Sequence, residues 1–231
     1  MSWVSKYYDR RVAAGAQKGL FWQVGHTEQG RPISSEQFAV MLDSLGQVLQ
    51  LGPGSSLLDL CCGNGVFTRQ LAAGVQRAVG VDFSPAMIAV ARAECAAPNL
   101  TYQVVDVKRI PPQLAGQGKF DRILMNAALQ HFSLAEFRTL LTRLLQISTP
   151  DRVIVFAFVP NAARRTEFDR RLKPGLALRL RRLFRRDLVT HWYHQDDVRR
   201  ICDELGLRVR FRDPDPAIAG AWYRHDIVIE A

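Results

Sequence analysis

The chain has 231 residues, of which 48% are hydrophobic and 23% are charged, with a formal net charge of +9. This length and balance predict one globular domain with a sizeable core and exclude wholesale disorder. No apolar run approaches the ~20 residues that cross a bilayer, and the first ten residues do not resemble a secretory signal. The four cysteines form no CxxC pair, so we expect a cytoplasmic protein without disulfides or a metal site.

The first part of the chain, residues 1–51, is predicted to be helical. Ser34 and Ser35 resemble a helix start, and apolar residues follow at spacings of three and four until Gly52. Short apolar runs then alternate with helical stretches, which is typical of βαβ units. The predicted strands are residues 56–60, 77–81, 100–105, 120–126 and 152–159, and the helices between them are 66–74, 85–96 and 133–147.

Beyond residue 160 the alternation ends. Residues 160–194 are predicted to form a basic helical insertion, and residues 195–205 a further amphipathic helix. Two strands, 207–212 and 225–230, follow with no room for a helix between them, so we expect them to pair antiparallel. The predicted fold class is therefore α/β, with a Rossmann-like, doubly wound, seven-stranded sheet that is mostly parallel and has an antiparallel last strand.

A loop with two glycines follows the first predicted strand. Its sequence is Asp59-Leu60-Cys61-Cys62-Gly63-Asn64-Gly65, and a helix is predicted to begin directly after it. Glycines here allow a ligand to lie against the backbone, and the start of the helix offers unpaired N–H groups. This motif alone fits a tight structural turn equally well.

Two further acidic residues favour a nucleoside site. Asp82 ends the second strand, where a carboxylate can accept hydrogen bonds from both ribose hydroxyls. Asp106 ends the third strand, where it can accept from an exocyclic amine. Taken singly, Asp82 could cap the next helix beside Ser84, and Asp106 could start a turn. Acids that close successive strands together favour the nucleoside site.

Residues 55–160 resemble the class I S-adenosylmethionine-dependent methyltransferases. The family motif acid-x-G-x-G-x-G corresponds to residues 59–65, with Cys61 in place of the first glycine. The resemblance implies S-adenosylmethionine as cofactor, with its methionine portion at this loop, its ribose on Asp82, and its adenine beside the following residues. The cofactor-binding residues implied are Asp59, Cys61, Cys62, Gly63, Asn64, Gly65, Asp82, Phe83, Met87, Asp106, Val107 and Asn126.

The predicted domain organisation is a single methyltransferase domain over residues 1–231. Its parts are an N-terminal helical cap (1–51), a cofactor-binding core (55–160), the basic helical insertion (160–194), and a C-terminal helix with a strand pair (195–231). The cap and the insertion are expected to cover the pocket of the methyl acceptor.

His131 is the predicted catalytic base and a predicted substrate contact. It follows the fourth strand on the cofactor's side, and imidazole titrates near neutrality. His131 could instead pack against or cap the helix that begins near Ser133. The other predicted substrate-binding residues, which could equally be core or anchoring residues, are Tyr7, Tyr8, Trp192 and Tyr193.

The loop at residues 126–129 reads Asn-Ala-Ala-Leu. It lacks the Pro-Pro-aromatic motif with which relatives methylate exocyclic amines of bases or glutamine. This difference favours an oxygen, carbon or aliphatic nitrogen acceptor in a small molecule, and of these we prefer oxygen.

The segment 164–186 carries ten basic and two acidic residues, so +8 of the net charge lies there. We predict that it contacts an anionic membrane surface or a phosphorylated, sugar-linked or lipid-linked substrate, and the alternative is a solvated surface helix. Nucleic acid is less favoured, because aromatic residues do not alternate with the arginines.

Two other functions remain open from the sequence. A nicotinamide-dependent oxidoreductase also uses a glycine loop and an acid after the second strand, but expects a third glycine where Thr68 stands. A non-catalytic protein that binds S-adenosylmethionine or RNA would use the same fold as a scaffold.

Overall fold

A computed structural model describes residues 3–15, 17–28, 30–110, 114, 118–172 and 189–230 of the chain. The strands are β1 (Thr27–Glu28), β2 (Arg31–Pro32), β3 (Ser56–Leu60), β4 (Arg77–Asp82), β5 (Leu100–Val104), β6 (Phe120–Asn126), β7 (Ser148–Pro160), β8 (Arg208–Arg212) and β9 (Arg224–Glu230). Seven of them form one sheet in the order β5-β4-β3-β6-β7-β9-β8. β7 begins four residues earlier than predicted, at Ser148.

The described sheet is parallel except for β9. β3 pairs with β4 and β6, β4 also pairs with β5, and β6 also pairs with β7, all in parallel. β9 lies between β7 and β8 and is antiparallel to both. The predicted fold class, including the antiparallel last strand, is confirmed. The strand order changes direction at β3, which opens a crevice at the carboxyl ends of β3 and β6.

The helices are α1 (Trp3–Gly15), α2 (Leu20–Gln23), α3 (Ser35–Leu49), α4 (Val66–Ala72), α5 (Pro85–Glu94), α6 (Leu134–Ile147), α7 (Arg165–Leu172) and α8 (Gln195–Glu204). α3 begins with a capping box: the Ser34 hydroxyl accepts from the Gln37 N–H, and the Gln37 side chain accepts from the Ser34 N–H. Ser133 and Glu136 form the same arrangement at the start of α6. Each cap satisfies N–H groups that have no partner within the helix.

The prediction that residues 1–51 are helical is partly wrong. α1, α2 and α3 are helices, but β1 and β2 form an antiparallel hairpin between α2 and α3. Gly25 and Gly30 both have a φ of 81°, a left-handed conformation that glycine adopts readily and that ends helical geometry. Glycine positions, rather than hydrophobic periodicity, determine the path of this segment.

Apolar side chains are buried on both faces of the sheet. On one face, Leu58 packs in a cluster with Phe137 of α6 and Val198 of α8. On the other face, the neighbouring Leu57 packs in a cluster with Leu45 of α3 and Leu71 of α4. Successive strand residues point to opposite faces, so β3 contributes to both clusters. The two layers of helices hold the strand ends of the crevice in place.

The described part of the basic insertion is α7. In it, Arg171 forms an ion pair with Glu167 (2.5 Å) and lies over the ring of Trp222, 4.4 Å from the ring centre. The predicted basic helix continues through residues 173–186, which lie outside the described residues. None of the described helices has both the length and the apolar character needed to cross a membrane.

Candidate active site

A cavity of about 670 Å³ opens at the carboxyl ends of β3, β4 and β6. Its volume is within the range of small-molecule binding sites. The loops that follow these strands line it together with the N-terminal segment. The predicted site residues that line the cavity are Tyr8, Asp59, Cys61, Cys62, Gly63, Asp82, Phe83, Met87, Asp106, Val107, Asn126 and His131.

The three acidic residues at successive strand ends all line this one cavity. Asp59 and Asp82 are buried, whereas Asp106 is exposed. Asp106 also accepts a hydrogen bond from the Lys108 N–H (3.0 Å), so it starts a turn as well as facing the cavity. The structural interpretation and the ligand-binding interpretation of Asp106 are therefore compatible.

The Asp82 carboxylate, at the end of β4, is hydrogen-bonded to the glycine loop that follows β3. One carboxylate oxygen accepts from the Gly63 N–H (3.1 Å), and the other accepts from the Ser84 N–H (2.9 Å). Ser84, rather than Asp82, caps α5, through its hydroxyl and the Met87 N–H. Asp82 thus fixes the glycine loop and the start of α5 while it lines the cavity.

Asp59 is the most deeply placed of the three acids. Its carboxylate accepts from the Thr68 hydroxyl (2.6 Å). The pKa of Asp59 is raised to about 7, mainly by burial; the Thr68 hydrogen bond acts to lower it, and the charge of Asp82 acts to raise it. Burial also raises the pKa of Asp82. A positively charged group in the cavity would favour the ionised form of both carboxyls.

The loop between β3 and α4 has left-handed backbone at two positions that face the cavity. Gly63 has a φ of +57°, and a Cβ there would lie 2.7 Å from Cγ1 of Val24. Cys61 has a φ of 57° although it carries a side chain, a conformation that costs about 1–2 kcal/mol outside glycine. Burial raises the pKa of both Cys61 and Cys62, so both remain neutral thiols.

Gly65 was predicted to bind the cofactor, but it does not line the cavity. It packs against Tyr102 instead. A Cβ on Gly65 would lie 2.4 Å from Oη of Tyr102, and a Cβ on Gly80 would lie 2.7 Å from the same ring. The Tyr102 hydroxyl lies 3.0 Å from the Cys95 carbonyl and 3.3 Å from the Gly65 carbonyl. Gly65 therefore makes room for Tyr102 behind the loop.

Asn64 also points away from the cavity. It is fully buried, and its amide donates to the Leu20 carbonyl and to Oε1 of Gln23, both at 2.9 Å. Asn64 thereby ties the loop to α2. It is a positioning residue here, not a lining residue as the resemblance implied.

Of the two tyrosines predicted to contact substrate, Tyr8 lines the cavity, and Tyr7 packs edge-on against its ring at 5.2 Å. The neighbouring Asp9 accepts from the Ser84 hydroxyl (3.0 Å), which fixes α1 against the start of α5. Burial raises the pKa of Tyr8. Its phenol therefore keeps its proton and can donate a hydrogen bond into the cavity.

The turn after β6 brings unpartnered polar atoms to the cavity. Oδ1 of Asn126 and both ring nitrogens of His131 are buried and have no hydrogen-bond partner within the described part of the chain. Ala127, with a φ of 53°, donates its N–H to the Ala157 carbonyl (2.9 Å), which fixes the turn to β7. Buried polar atoms are normally paired, so these atoms are available to a ligand.

His131 is neutral at physiological pH. Its pKa is lowered to about 4, mainly by burial and to a smaller extent by electrostatic interactions with neighbours that include Lys108 and Arg224. Among the residues that line the cavity, Lys108 acts electrostatically on His131, whereas Asp59 and Asp82 act on the cysteines of the glycine loop. The cavity therefore has acidic side chains at the glycine loop and the basic side chain of Lys108 in its lining.

Trp192 and Tyr193 pack in other places, which corrects the prediction that they form a substrate wall. Tyr193 is buried, and its hydroxyl lies 2.6 Å from the Phe132 carbonyl and 3.1 Å from that of Leu129. The Trp192 ring packs 5.0 Å from that of Phe168. Tyr193 consequently supports the turn that carries His131 from behind.

Val24, His26 and Lys108 line the cavity and were not predicted. The His26 ring packs 4.7 Å from that of Phe67, and burial lowers the pKa of His26 to about 4. Val24 and His26 lie in a short segment without hydrophobic periodicity, so no pattern pointed to them. Lys108 stands two residues after Asp106, and this proximity was the one available signal.

A crevice at the point where strand order reverses, lined by acidic residues from three strand ends, is typical of Rossmann-like folds that bind nucleosides. Residues 57–151 match the model of the family described as a methyltransferase domain. This match agrees with the resemblance of residues 55–160 to the class I S-adenosylmethionine-dependent methyltransferases.

The comparison with individual proteins agrees with this class. An uncharacterized methyltransferase of Synechocystis is 32% identical over 111 residues, which cover 48% of this chain and 49% of that protein. The chain thus spans about half the length of this relative.

Two solved structures have a similar fold. Magnesium protoporphyrin IX methyltransferase from Synechocystis, with bound S-adenosylhomocysteine, has a TM-score of 0.63 at 20% identity, covering 99% of this chain and 94% of that one. A methyltransferase from Anabaena variabilis has a TM-score of 0.67 at 18% identity, covering 98% and 93%. At these identities the likeness concerns the fold alone.

Proposed function

We propose that the chain transfers a methyl group from S-adenosylmethionine to an oxygen atom of a small-molecule acceptor. The observation that carries this proposal is His131, which lines the same cavity as Asp59 and Asp82 and has two buried ring nitrogens with no partner among the described residues. A neutral histidine beside a nucleoside-type site is suited to take a proton from a hydroxyl group.

The residues of the cavity fit this cofactor. Gly63 lines the cavity, and its lack of a side chain lets Val24, another lining residue, pack closely against the loop. Asp82 lies where it can accept from ribose hydroxyls, and Asp59 would be favoured in its ionised form by a cationic ligand. Bound S-adenosylmethionine supplies a methyl group on a positively charged sulfur, and so no further activation of that carbon is required.

Other lining residues are assigned from the resemblance and from their position in the cavity. Phe83 and Met87 would form apolar surfaces on either side of the adenine, and Asp106 with Val107 would contact its edge. Asn126 would accept a hydrogen bond from the ligand through its unpartnered Oδ1.

The chain's own chemical contribution is to orient the acceptor and to remove one proton. Holding two reactants in line can lower a barrier by about 7–11 kcal/mol. A hydroxyl acceptor loses its proton as it attacks, and a nitrogen of His131 would receive that proton. Tyr193 would act as a positioning residue, because its hydroxyl holds the Leu129 and Phe132 carbonyls on either side of His131.

The acceptor pocket would be closed by the N-terminal segment and by the insertion at 160–194. Tyr8, Val24 and His26 support the first part of this proposal, since all three line the cavity. The charge of residues 164–186 favours an anionic, sugar-linked or lipid-linked acceptor. The Asn-Ala-Ala-Leu loop at 126–129 favours oxygen over a base amine.

A screen for release of S-adenosylhomocysteine tests the proposal. The purified protein is incubated with S-adenosylmethionine and a panel of hydroxyl compounds, each paired with its O-methylated form as a control. Release with at least one hydroxyl compound, but not with its O-methylated form, is the expected result. Equal release from both members of every pair would contradict O-methylation. Reduction of NAD by the same panel would instead support an oxidoreductase.

A further inference from the structure

One part of the cavity is left free by the proposed cofactor. Asp82 and Asp106, to which we assign the nucleoside, end β4 and begin the turn after β5, and both of these strands lie on one side of β3. β6 lies on the other side of β3. We call the part of the cavity above it the β6 side, and it remains for the methyl acceptor. Besides His131, the residues assigned to its lining are Val24, His26, Phe67, Ala127, Ala128 and Phe132.

A chain of stacked rings forms one wall of the β6 side. The Phe38 ring of α3 lies 4.6 Å from that of Phe21 and 4.8 Å from that of Phe67, which lies 4.7 Å from the His26 ring. α3 packs against β6 and β7, so this chain of rings stands over the β6 side. The His26 N–H donates to the Phe21 carbonyl (3.0 Å), and the His26 carbonyl accepts from the Ile33 N–H (3.1 Å). The His26 ring is therefore held in place by both packing and backbone.

The opposite wall comes from the other face of the sheet. Phe132 is buried in the cluster that contains Phe137 of α6, whereas Phe67 belongs to the cluster on the α3 face. Between these walls, Ala128 packs against the first cluster and Ala127 against the second. Two consecutive small side chains thus separate the aromatic residues of the two faces, and this leaves the space between the rings open.

The β6 side offers no free cation among its described residues. His26 and His131, with pKa values lowered to about 4, are neutral. Lys108 is the one lysine or arginine among the described lining residues, and its Nζ lies 5.1 Å from the centre of the Phe132 ring. That Nζ already forms an ion pair with Glu136 (2.7 Å). A carboxylate on this side would lose its water without gaining an unpaired positive charge, which is unfavourable.

We propose that the part of the methyl acceptor that enters the cavity is an uncharged aromatic ring, and that a hydroxyl group on this ring receives the methyl group. This inference rests on the proposed function and narrows its acceptor to a phenol. Aromatic rings suit a space bounded by other rings, because they bury a large area and stack in defined geometries. A charged portion of the acceptor would lie outside the cavity.

The chemistry of the proposed base agrees with a phenol. The phenol oxygen forms a bond to the methyl carbon as the carbon–sulfur bond breaks, the sulfur keeps that electron pair and becomes neutral, and the hydroxyl proton passes to a nitrogen of His131. A base with a pKa of about 4 is weak. A phenol has a pKa of about 10, whereas water, which resembles an aliphatic alcohol, has one of about 15.7. Proton transfer to His131 is therefore far less unfavourable from a phenol.

The test compares three matched probes on the whole protein saturated with S-adenosylhomocysteine. They are para-ethylphenol, para-hydroxybenzoate, whose carboxylate replaces the ethyl group, and the cyclohexanol that corresponds to para-ethylphenol. Saturation-transfer NMR measures their Kd values at about pH 7, where the carboxyl is ionised and the phenol is not. para-Ethylphenol is expected to bind at least about 10-fold more tightly than para-hydroxybenzoate and about 2- to 12-fold more tightly than the cyclohexanol. With S-adenosylmethionine instead, it is also expected to have the highest kcat/KM.

Four variants make the test specific. His26→Ala removes a ring and is expected to weaken binding of para-ethylphenol about 2- to 12-fold, whereas His26→Phe keeps a ring and is expected to bind it within about twofold of wild type. Ala128→Leu fills the space between the walls and is expected to weaken binding at least about 10-fold. His194→Ala, exposed at the start of α8, is the control. An unchanged Kd for S-adenosylhomocysteine, measured by calorimetry, verifies that each variant is folded.

The failures are distinguishable. If S-adenosylhomocysteine binds but para-hydroxybenzoate or the cyclohexanol binds as tightly as para-ethylphenol, the aromatic acceptor is overturned and the methyltransferase proposal stands. The same conclusion follows if His26→Phe binds as weakly as His26→Ala, or if the cyclohexanol is turned over faster than the phenol. A wild-type protein that does not bind S-adenosylhomocysteine overturns the proposed function itself.

Discussion

The backbone N–H of Gly63 donates a hydrogen bond of 3.1 Å to the carboxylate of Asp82. This contact joins the loop after β3 to the end of β4, so that two motifs 19 residues apart in the chain form one surface. A ligand that lies on the glycine loop must therefore also meet Asp82. The same carboxylate holds the Ser84 N–H, which makes it both a structural and a ligand-binding group.

Replacing Asp82 with alanine is expected to weaken the binding of S-adenosylhomocysteine by about 1.5–3 kcal/mol, the value of a hydrogen bond to a charged group. This corresponds to about a 10- to 150-fold increase in Kd, measurable by calorimetry. Asp43→Ala, on the exposed side of α3, is the control and is expected to leave Kd unchanged. Equal affinities for the two variants would show that the ribose lies elsewhere.

Affinity for S-adenosylmethionine is expected to fall as the pH decreases below about 7. Asp59, whose pKa burial raises to about 7, is ionised above this pH and protonated below it, and the cationic ligand prefers the ionised form. Uptake of one proton costs up to about tenfold in affinity per pH unit. His26 and His131, with pKa values of about 4, do not titrate in this window.

Calorimetric titrations between about pH 5.5 and 8.5 measure this dependence. Asp59→Asn, which keeps the shape of the side chain, is expected to flatten the profile. If the variant kept the wild-type slope, another group would be responsible for the proton linkage.

Gly65→Ala is expected to lower the free energy of unfolding by about 2–5 kcal/mol. The new Cβ would lie 2.4 Å from the Tyr102 hydroxyl in a position with a φ of +77°, which adds overpacking to backbone strain. Gly46→Ala, in α3 with no described atom within 4 Å of the new Cβ, is expected to stabilise by about 0.5–1 kcal/mol. Urea unfolding of both variants measures the difference, and equal stabilities would refute the packing role of Gly65.

His131→Ala is expected to reduce kcat for a hydroxyl acceptor by about 10²- to 10⁴-fold, the usual contribution of a general base. The Kd of S-adenosylhomocysteine should change little. His194→Ala is the matched control, because His194 is exposed and makes no side-chain cap hydrogen bond at the start of α8. A His131→Ala enzyme with full turnover at neutral pH would rule out the base and leave positioning as the catalytic contribution.

The grouping of Asp59, Asp82 and Asp106 could be predicted from sequence because it depends on two regular features. Hydrophobic alternation locates the strands, and the carboxyl ends of parallel strands meet at one edge of a sheet. The antiparallel last strand was also accessible, because a loop without a helix restricts two consecutive strands to antiparallel pairing.

Contacts between distant segments of the chain could not be predicted from the sequence in this way. The pairing of Asn64 with Gln23 spans 41 residues, and it depends on the path that Gly25 and Gly30 give the hairpin. Tyr193 shows a related limit: an aromatic residue after the insertion suits a pocket wall and a core position equally well. In the folded protein, its hydrogen bonds to the turn around His131 show that Tyr193 occupies a core position.

Titration with S-adenosylhomocysteine, and separately with NAD, measured by calorimetry on the purified chain, tests the central claim most directly. A single nucleoside site on the strand ends that hold Asp59, Asp82 and Asp106 predicts one saturable binding event with S-adenosylhomocysteine and none with NAD. Heat of binding with NAD alone, or with neither ligand, would contradict the assignment of this cavity to S-adenosylmethionine.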